Sequence, residues 1–172
     1  MANPETQHET MKKAEPQKEH RWLEKLVGDW TYEMEAPPEP GKPVETFGGT
    51  EHVRSLDGLW FIAEGEGEMP GSEPATSIMT LGYDPKQKRY VGTWIGSMMT
   101  HLWVYDNGQL DGAGRVLTLE AEGPTMSGDG GMTRYKDVIE FRSDDHRVLT
   151  GNVLTGDGTW QQMMTVNYRR KR

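Results

Sequence analysis

The stretch that decides the fold is KRYVGTWIGSMMTHLWVYDNG, residues 88–108. Read with a period of two, it falls into two faces that are both apolar or aromatic, which is typical of strands in a curved sheet. Turn-forming residues bound it at positions 84–86 (DPK) and 106–108 (DNG), and Gly96 and Ser97 predict a bend in its middle. We therefore expect a hairpin that lines the inside of a small antiparallel barrel.

The composition of the whole chain agrees with a β-rich domain. A length of 172 residues is enough for one domain with a sizeable core. The 21 glycines, 10 prolines and short runs of β-forming residues favour many short strands joined by tight turns. Residues 1–15 are polar, charged and poor in aromatics, which predicts a disordered tail before a single domain over residues 16–170.

Charge and cysteine content exclude several functions. The net charge is −8 and the pI is about 5.1, so the surface should repel nucleic-acid phosphates. The basic residues 169–172 are interpreted as a solvated ending. The absence of cysteine rules out disulfides and thiolate sites and fits a reducing compartment. No run is apolar and long enough to span a bilayer, so we expect a cytoplasmic protein without a membrane partner.

A short helix is predicted ahead of the first strand. Between residues 16 and 27, Trp22, Leu23 and Leu26 fall on one helical stripe, and Gly28 is a typical helix end. The apolar stripe predicts that this helix packs against one end of the barrel.

About ten strands follow, separated by short turn-forming pairs. Short connections throughout favour an all-β, closed or nearly closed up-and-down antiparallel barrel. Closure removes exposed edges and leaves an interior wide enough for one small ligand, although the same strands could build an open sandwich. The predicted strands are 28–35, 46–56, 60–69, 75–83, 89–95, 98–105, 115–122, 132–142, 147–154 and 159–169.

Two resemblances support the barrel. A Gly-x-Trp at the start of the first strand (Gly28-Asp29-Trp30), just after a short helix, resembles the lipocalin signature. That resemblance implies a lipocalin-like barrel in which Arg169 or Arg170 of the last strand lies across the indole, with a cation–π contribution.

Longer segments of the chain are similar to a bacterial family known as domain of unknown function 1579, over most of residues 22–170. The family has no assigned chemistry, so this resemblance implies a barrel fold and little else. The segments that carry it are WLEKLVGDW (22–30), LGYDPKQKRYVGTWIGSMMTHLWVYD (81–106), RVLTLEAEGP (115–124), YKDVIEF (135–141), DDHRVLT (144–150) and MMTVNYRR (163–170).

Aromatic and methionine side chains are the main candidates for a binding site. Flat rings together with adaptable thioethers can wall a cavity for a small apolar or aromatic molecule. The same side chains could equally fill the barrel as packed core. The predicted ligand-binding residues are Trp60, Tyr83, Tyr90, Trp94, Met99, His101, Trp103 and Met163.

His101 is the predicted polar group of this site. It shares a face with Met99 and Trp103 if its strand is regular, and it could orient a ligand, act as a base or ligate a haem iron. A lone histidine is more often structural, so no cofactor is predicted and haem is only an alternative. No His-x-His or His-Glu-x-x-His spacing occurs, so no metal site is predicted.

Carboxylates on apolar strands supply the alternative to simple binding. Glu64 and Glu66 share the face of Trp60, and Asp137 shares the face of Tyr135. One of these with a raised pKa beside His101 would form an acid–base pair, whereas pairing with a neighbouring arginine would make it structural.

Three functions therefore stay open from the sequence. The first is non-enzymatic binding of a small, mostly apolar ligand inside the barrel. The second is an enzyme that acts on a small molecule with His101 and a strand carboxylate. The third is a structural module with a filled barrel that forms a homodimer through exposed aromatic side chains.

Overall fold

A computed structural model describes residues 12–36, 39–69 and 73–172. A helix α1 (Lys18–Leu23) runs into a 3-10 turn (Glu24–Leu26), and ten strands follow. They are β1 (Gly28–Glu35), β2 (Thr46–Leu56), β3 (Trp60–Gly67), β4 (Ala75–Asp84), β5 (Arg89–Gly96), β6 (Trp103–Leu110), β7 (Val116–Pro124), β8 (Met132–Ser143), β9 (His146–Leu154) and β10 (Trp160–Arg170).

The strands form a closed antiparallel barrel. Each strand pairs with the next one in the chain, and β1 pairs with β10 to complete the ring. The predicted all-β, up-and-down barrel with one short N-terminal helix is confirmed, and the open sandwich is excluded. Most of the predicted disordered tail, residues 1–15, lies outside the described residues, and a single domain over residues 16–170 stays a prediction.

Alternation along the strands decides which side chains enter the barrel. On β3, Phe61, Gly65 and Gly67 are buried, whereas Trp60 and the two glutamates are exposed. On β7 the buried positions follow the same period of two, because successive side chains of a strand point to opposite faces of the sheet.

The end of the barrel that carries α1 is closed, and we call it the closed end. Trp22, Leu23 and Leu26 are buried there, and the Trp22 Nε1–H donates to the Gly114 carbonyl at 2.7 Å. The Trp22 ring meets Phe141 edge to face, with 5.6 Å between ring centroids. The helix therefore packs over the end as its apolar stripe predicts.

Trp30 is the centre of the closed end. Its side chain is fully buried, and its Nε1–H donates to the Leu26 carbonyl at 2.8 Å. The Arg170 guanidinium lies 4.2 Å from the Trp30 ring centroid and donates to the carbonyls of Val27 and Lys25 at 2.6 and 2.9 Å. Of the two arginines that the resemblance allows, Arg170 is the one that covers the indole.

The start of β6 differs from the prediction. The predicted strand 98–105 begins five residues too early, because residues 97–102 form the connection and the strand begins at Trp103. The predicted turn at Asn107 and Gly108 lies inside β6, where a bulge after Tyr105 absorbs one residue. Gly108 is needed in this strand because a Cβ atom there would overlap the Tyr90 backbone.

The helices in the described part of the chain are short. None of the helices there is long and apolar enough to cross a bilayer.

Candidate functional site

The half of the barrel away from α1 is hollow. It contains a cavity of about 390 Å³, within the range of small-molecule pockets. The exposed side chains of Met98, Met99 and Met126 line its mouth, in the connections after β5 and β7. We call this the open end. The floor of the cavity is the apolar core above the helix, including Phe61 and Ile139.

Two tryptophans from neighbouring strands form one wall of the cavity. Trp94 of β5 and Trp103 of β6 are directly opposite each other in the strand pair. The Trp103 Nε1–H lies 3.1 Å from the Met99 sulfur, and its ring meets Tyr135 edge to face at 4.8 Å. An added Cβ at Gly123 would overlap the Trp103 ring, so this glycine makes room for the indole.

Methionines complete the wall. A β-bulge between Gln162 and Met164 breaks the alternation of β10, so both Met163 and Met164 line the cavity. Thioether side chains adapt to irregular shapes and pack well against aromatic rings. The other methionines that line the cavity are Met34, Met69, Met79, Met98, Met99 and Met126.

A buried ion pair lies at the side of the cavity. The Arg147 guanidinium donates to the Glu51 carboxylate, and both side chains are nearly inaccessible to solvent. The guanidinium also lies 3.8 Å from the Tyr168 ring centroid and 4.7 Å from that of Trp30. No spacing in the sequence predicts this pair, although Arg147 shares the inward face of β9 with Leu149.

Asp137 is the second ionisable group inside the barrel. Its Oδ2 accepts a hydrogen bond from the Tyr105 hydroxyl at 2.6 Å, and the side chain lines the cavity. Burial raises the pKa of Asp137 to about 6, with the Tyr105 hydrogen bond opposing the shift. Burial and the nearby Asp137 carboxylate raise the pKa of Tyr105. Asp137 therefore keeps its proton to a higher pH than an exposed aspartate does.

The structure brings together four of the eight predicted binding residues. These four line the cavity, and they are Trp94, Met99, Trp103 and Met163.

The other four predicted residues do not line the cavity. Trp60 lies on the outer face of β3, where its ring covers Gly82 and 43% of its surface is exposed. Tyr83 and Tyr90 belong to the closed end, where Tyr83 packs against His20 and the Tyr90 hydroxyl donates to the Glu19 carbonyl. Their position follows from the helix, which packs against the end of β4 and the start of β5.

His101 lies at the rim of the open end rather than inside the barrel. Because β6 begins only at Trp103, His101 belongs to the preceding connection and not to an inward strand face. Its Nε2 lies 3.2 Å from the Glu122 carbonyl oxygen, and its ring meets Trp103 edge to face. The prediction that His101 lies inside the barrel is wrong.

The predicted acid–base pair is not formed. Glu64 and Glu66 are exposed on the outer face of β3, and Asp137 is hydrogen-bonded to Tyr105. Within residues 12–36, 39–69 and 73–172, no hydrogen bond joins His101 to any of these carboxylates. The same residues contain no group of three or more His, Asp or Glu side chains that could hold a metal ion.

Comparisons with known proteins place the chain in a family and a fold. The model of a family described as protein of unknown function (DUF1579) matches residues 15–170. No curated protein matches the sequence.

Solved structures with similar barrels share little sequence with this chain. The crystal structure of Rv2717c from M. tuberculosis is 12% identical, with a TM-score of 0.59, and the alignment covers 92% of this chain and 100% of that chain. The structure of EF1p2_mFAP2b bound to DFHBI is 14% identical, with a TM-score of 0.47, and the alignment covers 88% and 98% of the two chains. The likeness to Rv2717c shows the barrel fold alone.

Proposed function

This chain belongs to DUF1579, a family of proteins of unknown function, and we propose that it binds a small, mostly apolar molecule inside its barrel. The observation that carries the proposal is the open cavity of about 390 Å³, walled by two tryptophans and a cluster of methionines. Such a wall offers flat apolar surface to a ligand and adapts to its shape. A barrel selected for stability alone would fill this volume, because empty apolar space costs free energy.

Binding without catalysis agrees better with the geometry than an enzyme does. His101 lies at the rim, and Glu64 and Glu66 lie on the outer face, so the acid–base pair required for the enzymatic alternative has no shared cavity. A homodimer, the absence of a nucleic-acid partner and a cytoplasmic location stay predictions from the sequence.

A dye-binding experiment tests the proposal. Nile red is neutral and apolar and becomes fluorescent in apolar surroundings, so it should bind saturably with increased, blue-shifted emission. Ala63 lines the cavity, and Glu64 is the next residue on the outer face of β3. Ala63→Phe places a ring in the cavity and should weaken dye binding by about tenfold or more, equivalent to about 1.4 kcal/mol.

Glu64→Phe is the matched control, because it adds the same ring to the same strand on the other side of the wall. Its affinity for Nile red should equal that of the unmodified protein, and circular dichroism checks that both variants keep the barrel. Absence of saturable dye binding in the unmodified protein would contradict the proposal. Equal affinity in a folded Ala63→Phe variant would contradict it as well.

A further inference from the structure

The charges inside the barrel do not cancel. Arg147 and Glu51 form a closed ion pair, which leaves no net charge at that point. Within the described residues, the neutral Tyr105 hydroxyl is the only hydrogen-bond partner of the Asp137 side chain. Lys136 holds its ammonium 4.1 Å over the ring of Trp160, a side chain that is itself exposed. Among the described residues, Asp137 is therefore a carboxylate inside the barrel without a cationic partner, whereas Glu68, which also lines the cavity, is exposed.

The Asp137 carboxylate has hydrogen-bonding capacity to spare. A carboxylate can accept about four hydrogen bonds, and Tyr105 supplies one, at Oδ2. Within the part of the chain that the structure describes, Oδ1 has no hydrogen-bond donor. Its neighbour across the β8–β9 pair is Gly151, and an added Cβ there would lie 3.6 Å from Oδ1. The Met164 side chain lies over Gly151, with its Cε 3.0 Å from that Cβ position, and Asp137 lines the cavity beside it.

Aromatic side chains lie between Asp137 and the mouth of the cavity. Tyr135 is two residues from Asp137 on the same face of β8, and its ring meets Trp103 edge to face. Ring faces attract cations, and their edges and faces pack against apolar surface. A ligand can thus reach Asp137 with one end while its body stays against the tryptophans.

On this geometry we propose that the ligand is a small organic cation, whose protonated nitrogen donates a hydrogen bond to Asp137 and whose apolar body lies against Trp94 and Trp103. The inference rests on the proposed function, because it names the class of molecule that enters the same cavity. A charge-assisted hydrogen bond in a water-poor site is stronger than one between neutral groups, so the nitrogen gives both affinity and orientation.

The protonation of Asp137 should control this interaction. Tyr105 from β6 donates to it, and Tyr168 from β10 lies close enough to interact with its charge. The other charged groups that line the cavity are Lys136 of β8, Glu68 after β3 and the Glu51–Arg147 pair of β2 and β9. Because burial raises the pKa of Asp137 to about 6, the carboxylate is charged above that pH and neutral below it. Alkylamines stay protonated over this range, so affinity for a cation should fall on acidification.

The test uses three probes of one shape that displace Nile red. At pH 8, 2-naphthylmethylamine is a cation, 2-naphthalenemethanol is neutral and 2-naphthoate is an anion. In the unmodified protein the amine should bind about tenfold more tightly than the alcohol, and the anion should bind more weakly than both. In Asp137→Asn, which keeps an acceptor for Tyr105, the preference for the amine should fall below about twofold.

The outcomes separate this inference from the proposed function. If Nile red binds but the three probes displace it equally, the ligand is not a cation and the inference is wrong while the proposed function stands. If Asp137→Asn keeps the preference for the amine, Asp137 is not its partner. If Nile red does not bind at all, the proposed function itself fails. A second measurement uses the unmodified protein alone. Its preference for the amine over the alcohol should be lost between pH 8 and pH 5.

Discussion

The two ends of this barrel are formed by the same strands but differ in what covers their tryptophans. At the closed end, Trp30 is fully buried beneath Arg170 and packed against the turn after α1. At the open end, Trp94 and Trp103 line a cavity and are only partly covered. We interpret this difference as a division between the two ends, in which the closed end stabilises the barrel and the open end is the proposed binding surface.

The largest effect that tests this division is expected from one substitution made at both ends. Trp30→Ala should cost about 3–5 kcal/mol in the free energy of unfolding, because a fully buried ring and its hydrogen bond are lost. Trp94→Ala should cost about 1 kcal/mol or less, because the ring already faces a cavity. Urea denaturation followed by circular dichroism measures both. Equal losses would contradict the division.

A smaller effect is expected at the arginine that covers Trp30. Arg170→Ala should lower the free energy of unfolding by about 2–3 kcal/mol, because its charged hydrogen bonds to three carbonyls and its contact with the indole are removed. Arg169→Ala is the matched control, since Arg169 is exposed, and it should change stability by about 0.5 kcal/mol or less. The same urea titrations measure the free energy of unfolding of both variants. An equal loss in the two would contradict the role of Arg170.

At the open end, a substitution should increase stability. The pKa of Asp137 is raised from 3.8 to about 6, so above pH 6 the folded protein holds a charge that burial disfavours. Asp137→Asn removes this cost and should stabilise the protein by about 1–2 kcal/mol at pH 8. This gain in stability should shrink between pH 6 and pH 4, because in that range Asp137 is protonated in the folded protein and ionised in the unfolded chain. The gain should vanish below pH 4, where Asp137 is protonated in both the folded and the unfolded protein.

Thermal melts of the unmodified protein and of Asp137→Asn from pH 8 to pH 3.5 measure this difference. A constant difference over the whole range would show that the charge is not its origin. A loss of stability at pH 8 would show that the carboxylate stabilises the barrel.

The smallest effect is expected on the outer face. Trp60 lies over Gly82 outside the barrel, so Trp60→Ala should leave the affinity for Nile red unchanged within about twofold. Fluorescence titration measures this affinity. Trp94→Ala is the comparison variant, and it should weaken the binding of Nile red. A large loss of dye affinity in Trp60→Ala would place the dye on the outside of the sheet.

Much of the fold could be predicted from the sequence because turn residues and a period of two mark the strands. The bounds of β2 agree with the prediction at both ends. Periodicity groups residues by face but does not say which face is inside. On β3 the inward face holds Phe61 and small residues, so the bulkier Trp60 lies outside, contrary to the prediction.

The parts of the site that could not be predicted depend on irregular backbone and on distant partners. The late start of β6 moves His101 to the rim, and the bulge on β10 turns two neighbouring methionines inward. The pairing of Arg147 with Glu51 joins residues 96 positions apart, which no local pattern reveals. Asp137 could be found, because a carboxylate on an otherwise apolar strand face is a local signal.

The six tryptophans allow a direct test of the hollow open end. Trp22 and Trp30 lie at the closed end, Trp94 and Trp103 line the cavity, and Trp60 and Trp160 are exposed on the outside. Each indole N–H gives one signal in a ¹H–¹⁵N correlation spectrum, and single Trp→Phe variants assign them. Titration with 2-naphthylmethylamine should shift the signals of the two cavity tryptophans and leave the other four in place. Shifts confined to the exposed pair, or no shift at a concentration that displaces Nile red, would contradict a ligand chamber at the open end.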